Sequence, residues 1–444
     1  MENEFIKPLN FYNQNGLSSI ANSDKKEILK KHDDINIIKS NHKLRIGLYG
    51  WYSVCTTSEL KDGELFFFSM YDEPLILYRD KNKIAKCVKD LCPHRGASFY
   101  GGEIVDGELV CPYHGARFSA KGRCTNLNKI TCRHIVDSNY EDYAKKIHLY
   151  QYNCIERDNH IYIYYGGKAV TSLEYLQSSE RLSNIELDTY GFNLNDYEFE
   201  EVIVDFKCDW ARIIENHLDI LHIFWVHGDT IPDKDVSKSI LTSFKQQLTI
   251  EENQIESKYI YRSSINKEFI TIKYLPPGRI IIYKGEPDKA RYVQVLDHIP
   301  LGYNKARVIV RHYRKFLKNN LIKNLIMFKQ VQRNIFYKIF DEDYMILKTQ
   351  TYNHKMGFLK SDNIKLLGED RMIQYFWNWY KVSELKDKPW LDISDAKESI
   401  NVYDEMILKY PPEIKDKMRK NKRQYLYNIF IRAMIPIGLL IIIL

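Results

Sequence analysis

Between positions 92 and 114 cysteine and histidine occur together twice, first as Cys92-Pro93-His94 and then, after sixteen intervening residues, as Cys111-Pro112-Tyr113-His114. Few patterns constrain a chain more, because thiolate and imidazole donors so far apart must be brought to one point by two turns of the backbone. Two thiolates and two neutral imidazoles could bind zinc, yet zinc fingers usually keep Cys with Cys and His with His, whereas each pair here mixes the two. Mixed pairs suit a two-iron cluster with Cys on one iron and His on the other, each loop giving one ligand to each iron. Gly96, Gly101, Gly102 and Gly115 fit tight loops folded over such a cluster, since glycine tolerates backbone conformations that other residues resist.

Alternating apolar runs surround these loops: "GLYGWYSV", "LFFFSM", "PLILYRD", "KIAKCVKD" and "HIYIYYG", spaced by Gly, Asp and Asn turn signals. They predict a small all-β domain over residues 45–167. A second set, "EFEEVIVDF", "FITIKYL", "RIIIYKG", "RYVQVLDHI" and "ARVIVRHY", reads as antiparallel strands, with "LPPGR" as a hairpin turn. Helical segments flank these strands, so residues 168–400 are expected to form an α+β domain. Residues 1–44 are polar, rich in Asn and Lys and without clear periodicity, which predicts a loosely ordered extension.

The 444 residues hold 44% hydrophobic and 13% aromatic side chains, enough for two or three domains with a sizeable core. Of the net charge of +7, the run 415–423 (KDKMRKNKR) contributes +5, so the body carries no spread of basic charge and no nucleic-acid partner is expected. Eight cysteines are too few for a disulfide scaffold, and "MENEFIKPLN" has no secretory character, which places the main body in a reducing, cytoplasmic compartment. Residues 401–424 read as a basic connector. The last twenty residues, "YLYNIFIRAMIPIGLLIIIL" (425–444), are apolar apart from Asn428 and Arg432, and form a candidate membrane anchor. Pro436 and a charge-free run of only twelve residues also fit a buried or interfacial helix. An anchor would hold the protein on the cytoplasmic face of a membrane, with the basic run on that side.

The cysteine and histidine pairs, set in "PHRG" and "PYHG", resemble the Rieske [2Fe–2S] motif, with Cys92, His94, Cys111 and His114 as the implied cluster ligands. Respiratory Rieske proteins usually carry one more cysteine in each loop, forming a disulfide beside the cluster; Ala97 and Tyr113 stand in those places here. The departure favours the oxygenase branch.

A second constellation lies in "ENHLDILHIFWVHG" (215–228), where Asp219, His222 and His227 interrupt what reads as a buried helix. Polar groups buried without partners cost several kcal/mol, and a metal ion is one of the few partners that satisfies all three. The spacing N-x-x-D-x-x-H-x-x-x-x-H from Asn216 resembles the mononuclear-iron motif of Rieske non-heme oxygenases. On a straight helix positions 222 and 227 stand about 140° apart, so the helix must bend, bulge or end near Gly228. The third ligand is sought in "NIFYKIFDEDYMILKTQ" (334–350). Asp343 has Ile339, Phe340, Ile346 and Leu347 three and four residues away and so projects from the apolar stripe, while Asp341 and Glu342 each have a polar or tyrosine neighbour there. Asp343 is therefore the expected ligand, and it also matches where this family places its carboxylate. Asp219 resembles the carboxylate that bridges a Rieske histidine of one subunit to an iron-ligating histidine of the next. Asn216 and Glu215 are expected to shape the iron pocket, and His217, His298 and His312 to be structural or surface residues.

The resemblance implies a helix-grip catalytic domain after the Rieske domain, a mononuclear Fe(II) beside the [2Fe–2S] cluster, and a ring-shaped homotrimer. It implies a terminal oxygenase that hydroxylates, demethylates or desaturates a hydrophobic, cyclic small molecule with O₂, with a Rieske electron carrier as the alternative. Monooxygenation needs two external electrons. No G-x-G-x-x-G fingerprint is present, so a separate reductase or ferredoxin is expected to supply them. The long C-terminal stretch resembles that of the membrane-linked pheophorbide and chlorophyllide oxygenase group, but the C-terminal C-x-x-C often found there is missing, no cysteine following Cys208.

Overall fold

Period-two patterning dominates what the chain becomes. The computed structural model describes residues 36–39, 50–71, 73–127, 144, 146–165, 192, 197–227, 245–251, 254–262, 267–302, 304–315, 326–356 and 365–382. Two units emerge. One comprises Leu48–Asp188 with His298–Arg307; the other comprises Met1–Gly47, Thr189–Asp297 and Val308–Leu444.

In the first unit, β2 (Gly50–Thr56), β3 (Phe66–Met70), β4 (Glu73–Arg79), β5 (Ala85–Lys89), β10 (Gln151–Arg157) and β11 (His160–Tyr165) form one sheet, ordered β2-β11-β10-β5-β4-β3. Its pairings are antiparallel throughout. The run Leu75–Tyr78 is buried at every position rather than at alternate ones, because β4 is covered on both faces. The short strands β6 (Glu103–Val105), β7 (Glu108–Val110), β8 (Arg117–Phe118) and β9 (Cys124–Asn126) form a four-stranded meander. Ile76, Tyr78 and Val88 of the larger sheet share one core with Phe99, Leu109 and Phe118 around the smaller, and Cys92 and Cys111 lie inside it. Burying each phenylalanine stabilises this unit by about 1.5–3 kcal/mol. The first cysteine loop follows β5 and the second joins β7 to β8, so strand ends fix both.

The second unit is built on an eight-stranded sheet, ordered β1-β13-β14-β15-β16-β17-β18-β12. Its strands are β1 (Asn36–Lys39), β12 (Glu198–Phe206), β13 (Lys245–Ile250), β14 (Ile255–Arg262), β15 (Lys267–Leu275), β16 (Arg279–Lys284), β17 (Tyr292–Gly302) and β18 (Lys305–Arg314). "LPPGR" is the expected hairpin turn, with Leu275 paired to Arg279. Helices α1 (Trp210–Leu218), α2 (His222–Val226), α3 (Ile326–Lys355) and α4 (Arg371–Val382) complete the unit. α4 covers one sheet face, its Phe376 and Trp379 rings standing 5.5 and 5.9 Å from Tyr274. α3 meets β12 through Phe340 and Tyr344 against Phe206.

The structure departs from the sequence reading at three places. Residues Asn36–Lys39 of the expected extension are a strand paired in parallel with Gln247–Ile250 of β13, since two isoleucines can lengthen a sheet edge even in a polar context. β13 and β14 escape the pattern search because "KQQLTI" and "IESKYIYR" are rich in polar residues. The stretch 215–228 is two helices rather than one: α1 ends at Leu218, Asp219 is extended, and α2 begins at His222. The connector 401–424 and the apolar tail 425–444 lie outside the described residues. Among the described residues no helix is long and apolar enough to cross a membrane.

Candidate functional site

The break between α1 and α2 sets up the site. The side chain of Asp209 accepts from the Ala211 and Arg212 amides and starts α1, while the extended backbone of Asp219 (φ −87°, ψ 109°) ends it. His222 opens α2, and His227 closes it with non-helical φ −103° and ψ 16°. The helix thus ends at Val226, two residues before Gly228, and the imidazoles of His222 and His227 come side by side with ring centroids 5.4 Å apart.

Asp343 on α3 is 2% exposed and meets both. Its Oδ1 lies 3.3 Å from His222 Nε2 and 3.1 Å from His227 Nε2. One donor atom from each residue falls within 4.8 Å of the other two. The opposite ring nitrogens are already engaged. His222 Nδ1 lies 2.5 Å from the Asp219 backbone carbonyl, and His227 Nδ1 lies 2.8 Å from Glu342 Oε2. Each Nδ1–H therefore donates to an acceptor, which leaves both Nε2 atoms turned towards Asp343. Two imidazoles and one carboxylate arranged this way fit a ferrous ion with positions left open.

Electrostatics fit a divalent cation held between these donors. Burial alone would raise Asp343, but its hydrogen bonds to His222 and His227 win and hold it below the usual carboxylate range. Burial would likewise lower His227, yet hydrogen bonds to Asp343 and Glu342 outweigh it and raise it to about 9. A proton stands where a divalent ion would satisfy the same carboxylates.

Of the other residues singled out in the sequence, Asn216 Nδ2 donates to Asp343 Oδ1 at 3.4 Å. The Asp219 carboxylate, 30% exposed, accepts from the Leu221 amide at 2.7 Å and stands 4.0 Å from His222 Nδ1. Glu215 is taken up by Arg212 at 2.5 Å, and the guanidinium stacks over Trp377. His217 packs edge-on to Phe340, and His312 lies on Phe336 at 3.5 Å, so both are interior packing residues, as expected. His298 is buried as well. Glu342 is the residue the sequence reading passed over. Its position beside Asp343 was a usable signal, but a search for apolar neighbours selects ligands and rejects the mostly buried carboxylate behind one.

The cysteine loops form a second site with internal symmetry. "CPHRGA" (92–97) and "CPYHGA" (111–116) close with the same two backbone bonds: Cys92 N to Ala97 O and Gly96 N to Cys92 O, then Cys111 N to Ala116 O and Gly115 N to Cys111 O, all 2.7–2.9 Å. Gly96 and Gly115 occupy matching left-handed positions at φ +76° and +71°, where a side chain would be strained. The thiols of Cys92 and Cys111 are free, buried and in contact with each other. The His94 and His114 rings form their own pair, with centroids 4.9 Å apart. The two thiols pair with each other and the two imidazoles with each other, as a two-iron cluster with unlike irons needs. Burial pushes the Cys92 thiol up to about 12, a state that bonding to iron would reverse. Partial desolvation and the adjoining His114 and Arg95 lower His94, keeping its imidazole neutral for a metal.

Residues 50–141 match the family model for the Rieske [2Fe-2S] domain, and residues 206–368 match that for the vanillate O-demethylase oxygenase C-terminal domain. Among relatives, the chain is 26% identical over 196 residues to chlorophyllide a oxygenase of Chlamydomonas reinhardtii, covering 44% of this chain and 26% of that protein. It is 25% identical over 215 residues to the vanillate O-demethylase oxygenase subunit of a Pseudomonas species, covering 47% and 52%. It is 28% identical over 185 residues to cholesterol 7-desaturase of Bombyx mori, covering 41% and 36%. The matched stretches thus span between about a quarter and half of these relatives. In fold it is similar to dicamba monooxygenase bound to dicamba, with a TM-score of 0.57 at 17% identity over 77% of this chain and 99% of that one. Pseudomonas putida CBB5 NdmA is similar too, with a TM-score of 0.54 at 17% identity over 78% and 94%. The chain thus carries a Rieske [2Fe-2S] domain followed by an oxygenase C-terminal domain, the two-domain make-up of the Rieske oxygenases it resembles.

Proposed function

We propose that this chain is the terminal component of an oxygenase that oxidises a hydrophobic organic molecule with O₂. One observation carries this reading: Asp343 Oδ1 sits between the Nε2 atoms of His222 and His227, while both Nδ1 atoms are held from behind. A Rieske electron carrier, the alternative, has no need of that second donor set.

In this reading Cys92, His94, Cys111 and His114 hold the cluster, and His222, His227 and Asp343 hold Fe(II). When bound, these groups supply single-electron storage and oxygen activation. The chain's own residues do the rest. Glu342 and the Asp219 carbonyl keep both imidazoles in the Nδ1–H tautomer, so the Nε2 lone pairs stay available for metal. Asn216 donates to the ligand carboxylate and restricts its rotation. Phe99 and Phe118, both fully buried, keep water from the thiol end of the cluster site. The relatives are named for oxygenation, demethylation and desaturation, and all three chemistries suit this donor set.

A separate reductase or ferredoxin supplies electrons, and the working assembly is a homotrimer. Exposed aromatic side chains support subunit contact: Trp225 on α2 is 78% exposed, and Tyr113 between the cluster ligands 55%. The partly exposed Asp219 carboxylate is then free to reach a cluster histidine of a neighbouring copy. The apolar tail 425–444 attaches the protein to the cytoplasmic face of a membrane and brings it to bilayer-dissolved substrates. Equal partitioning of full-length and tail-truncated protein into the soluble fraction would exclude that attachment, and sedimentation reports the trimer.

The deciding test is anaerobic reconstitution with iron and a surrogate reductase. The oxygenase reading expects about three irons per chain and substrate-dependent oxygen uptake; about two irons and no uptake leave the carrier.

A further inference from the structure

Three neutral polar side chains lie buried on the sheet face that α4 covers. Gln246 of β13 is paired across the ladder with Tyr259 of β14, and Ser257 stands two residues earlier on the same strand and face. They are 3%, 2% and 0% exposed. Gln246 Nε2 donates to Ser257 Oγ at 3.0 Å and to the Tyr259 hydroxyl at 3.2 Å. Both amide hydrogens are thereby spent, while Gln246 Oε1 is buried with no hydrogen-bond partner. A buried amide oxygen left unpaired is costly, and one oriented by two hydroxyls is fixed in place rather than free to turn towards water.

The surroundings connect this oxygen to the substrate side of the proposed iron site. Register puts Ile270 and Ile272 of β15 beside Tyr259 and Ser257, and Tyr274 of the same face lies under α4. The phenol of Tyr259 feels the carboxylates of Asp219 and Asp370, the former preceding the histidine pair. Alternation sends Lys258 and Lys273 to the opposite face, where both pair with Glu256. Apolar walls, one unsatisfied acceptor and a negative background describe what can dock here.

We infer that Gln246, oriented by Ser257 and Tyr259, is a specificity-determining residue that accepts a hydrogen bond from the hydroxyl group of a neutral, otherwise apolar substrate. The inference takes the helix-covered face as the substrate side and so rests on the oxygenase reading. A carboxylate brings only acceptors to Gln246 Oε1 and meets two like charges. An ammonium can donate, but among the described residues the partners of Gln246 are two hydroxyls and no carboxylate, so its desolvation is not offset.

Equilibrium dialysis of the full-length protein with both metal sites loaded tests this with 2-naphthol, naphthalene, 2-naphthoate and 2-naphthylmethylamine as probes. 2-Naphthol is expected to be retained most strongly. Q246M should weaken its retention by about tenfold while leaving naphthalene unchanged, a selective loss that a merely structural role would not give. If Q246M does not accumulate as folded protein, S257A, which removes an oxygen that orients the amide, is expected to show the same selective loss. No retention of 2-naphthol, equal retention of the acid or the amine, or an unselective fall in both 2-naphthol and naphthalene would overturn the inference. Oxygen uptake is measured separately: selective retention without uptake sinks the oxygenase reading alone, and uptake with unselective retention sinks this one alone.

Discussion

At the scale of single residues, Glu342 shows how much a metal ligand owes to the atom behind it. Its Oε2 accepts from His227 Nδ1 at 2.8 Å, while Asp343 meets the same ring from the other side. Glu342→Ala is expected to weaken Fe(II) binding by about 10–100-fold and to leave the Rieske spectrum unchanged, as equilibrium dialysis against ferrous ion and the electron paramagnetic resonance spectrum of the reduced cluster will report. His222→Ala removes a ligand outright, so turnover should vanish with the cluster signal intact. His94→Ala should remove both. The proton on His227 gives a further expectation. Because folding raises this group from 6.5 to about 9, the metal-free protein holds an extra stability that is full below pH 6.5 and is lost as pH climbs through about 9. Iron displaces that proton, so the Tm of chelated protein should fall over this window and that of loaded protein should not. Asp343 was legible in the sequence because a ligand must project from an apolar stripe. Glu342 was not, because a supporting carboxylate looks like any acid at the edge of a helix.

At the scale of elements, the two six-residue loops and the α1–α2 break carry the chemistry. Gly96→Ala places a side chain at φ +76° and is expected to destabilise its loop by about 1 kcal/mol or more. The visible result should be a lower ratio of acid-labile sulfide to protein, with helix content unchanged. Asp209→Ala removes the cap of α1, and a loss of about 1 kcal/mol in urea unfolding is expected. The strands rich in β-branched and aromatic residues, β15 to β18 among them, were readable because such near-continuous runs, bounded by turn residues, suit a sheet covered on both faces. β13 and β14 were hidden by glutamine, lysine and serine, and three polar side chains on their helix-covered face are the very place where substrate recognition is inferred. The break at Asp219 was invisible for a different reason: nothing in "HLDIL" opposes a helix, and the interruption rests on side-chain and backbone contacts that form only on folding.

At the scale of the whole molecule, the two donor sets belong to different units of one chain and share no ligand. Iron content should therefore fall in two separate steps under a chelator, with the EPR signal of the cluster surviving the first. The hairpin of β17 and β18 adds something that chain order hides. Its tip, His298–Arg307, belongs to the Rieske unit, where Pro300 O accepts from the Tyr71 amide at 2.8 Å and Leu301 O from Ser69 Oγ at 2.6 Å. A fragment ending near residue 188 lacks those acceptors and leaves a hole where the tip belongs. Cutting at the obvious seam thus yields an amputated piece rather than a module, and any gene fusion that shuffles this Rieske half must carry along a finger borrowed from a hundred residues downstream.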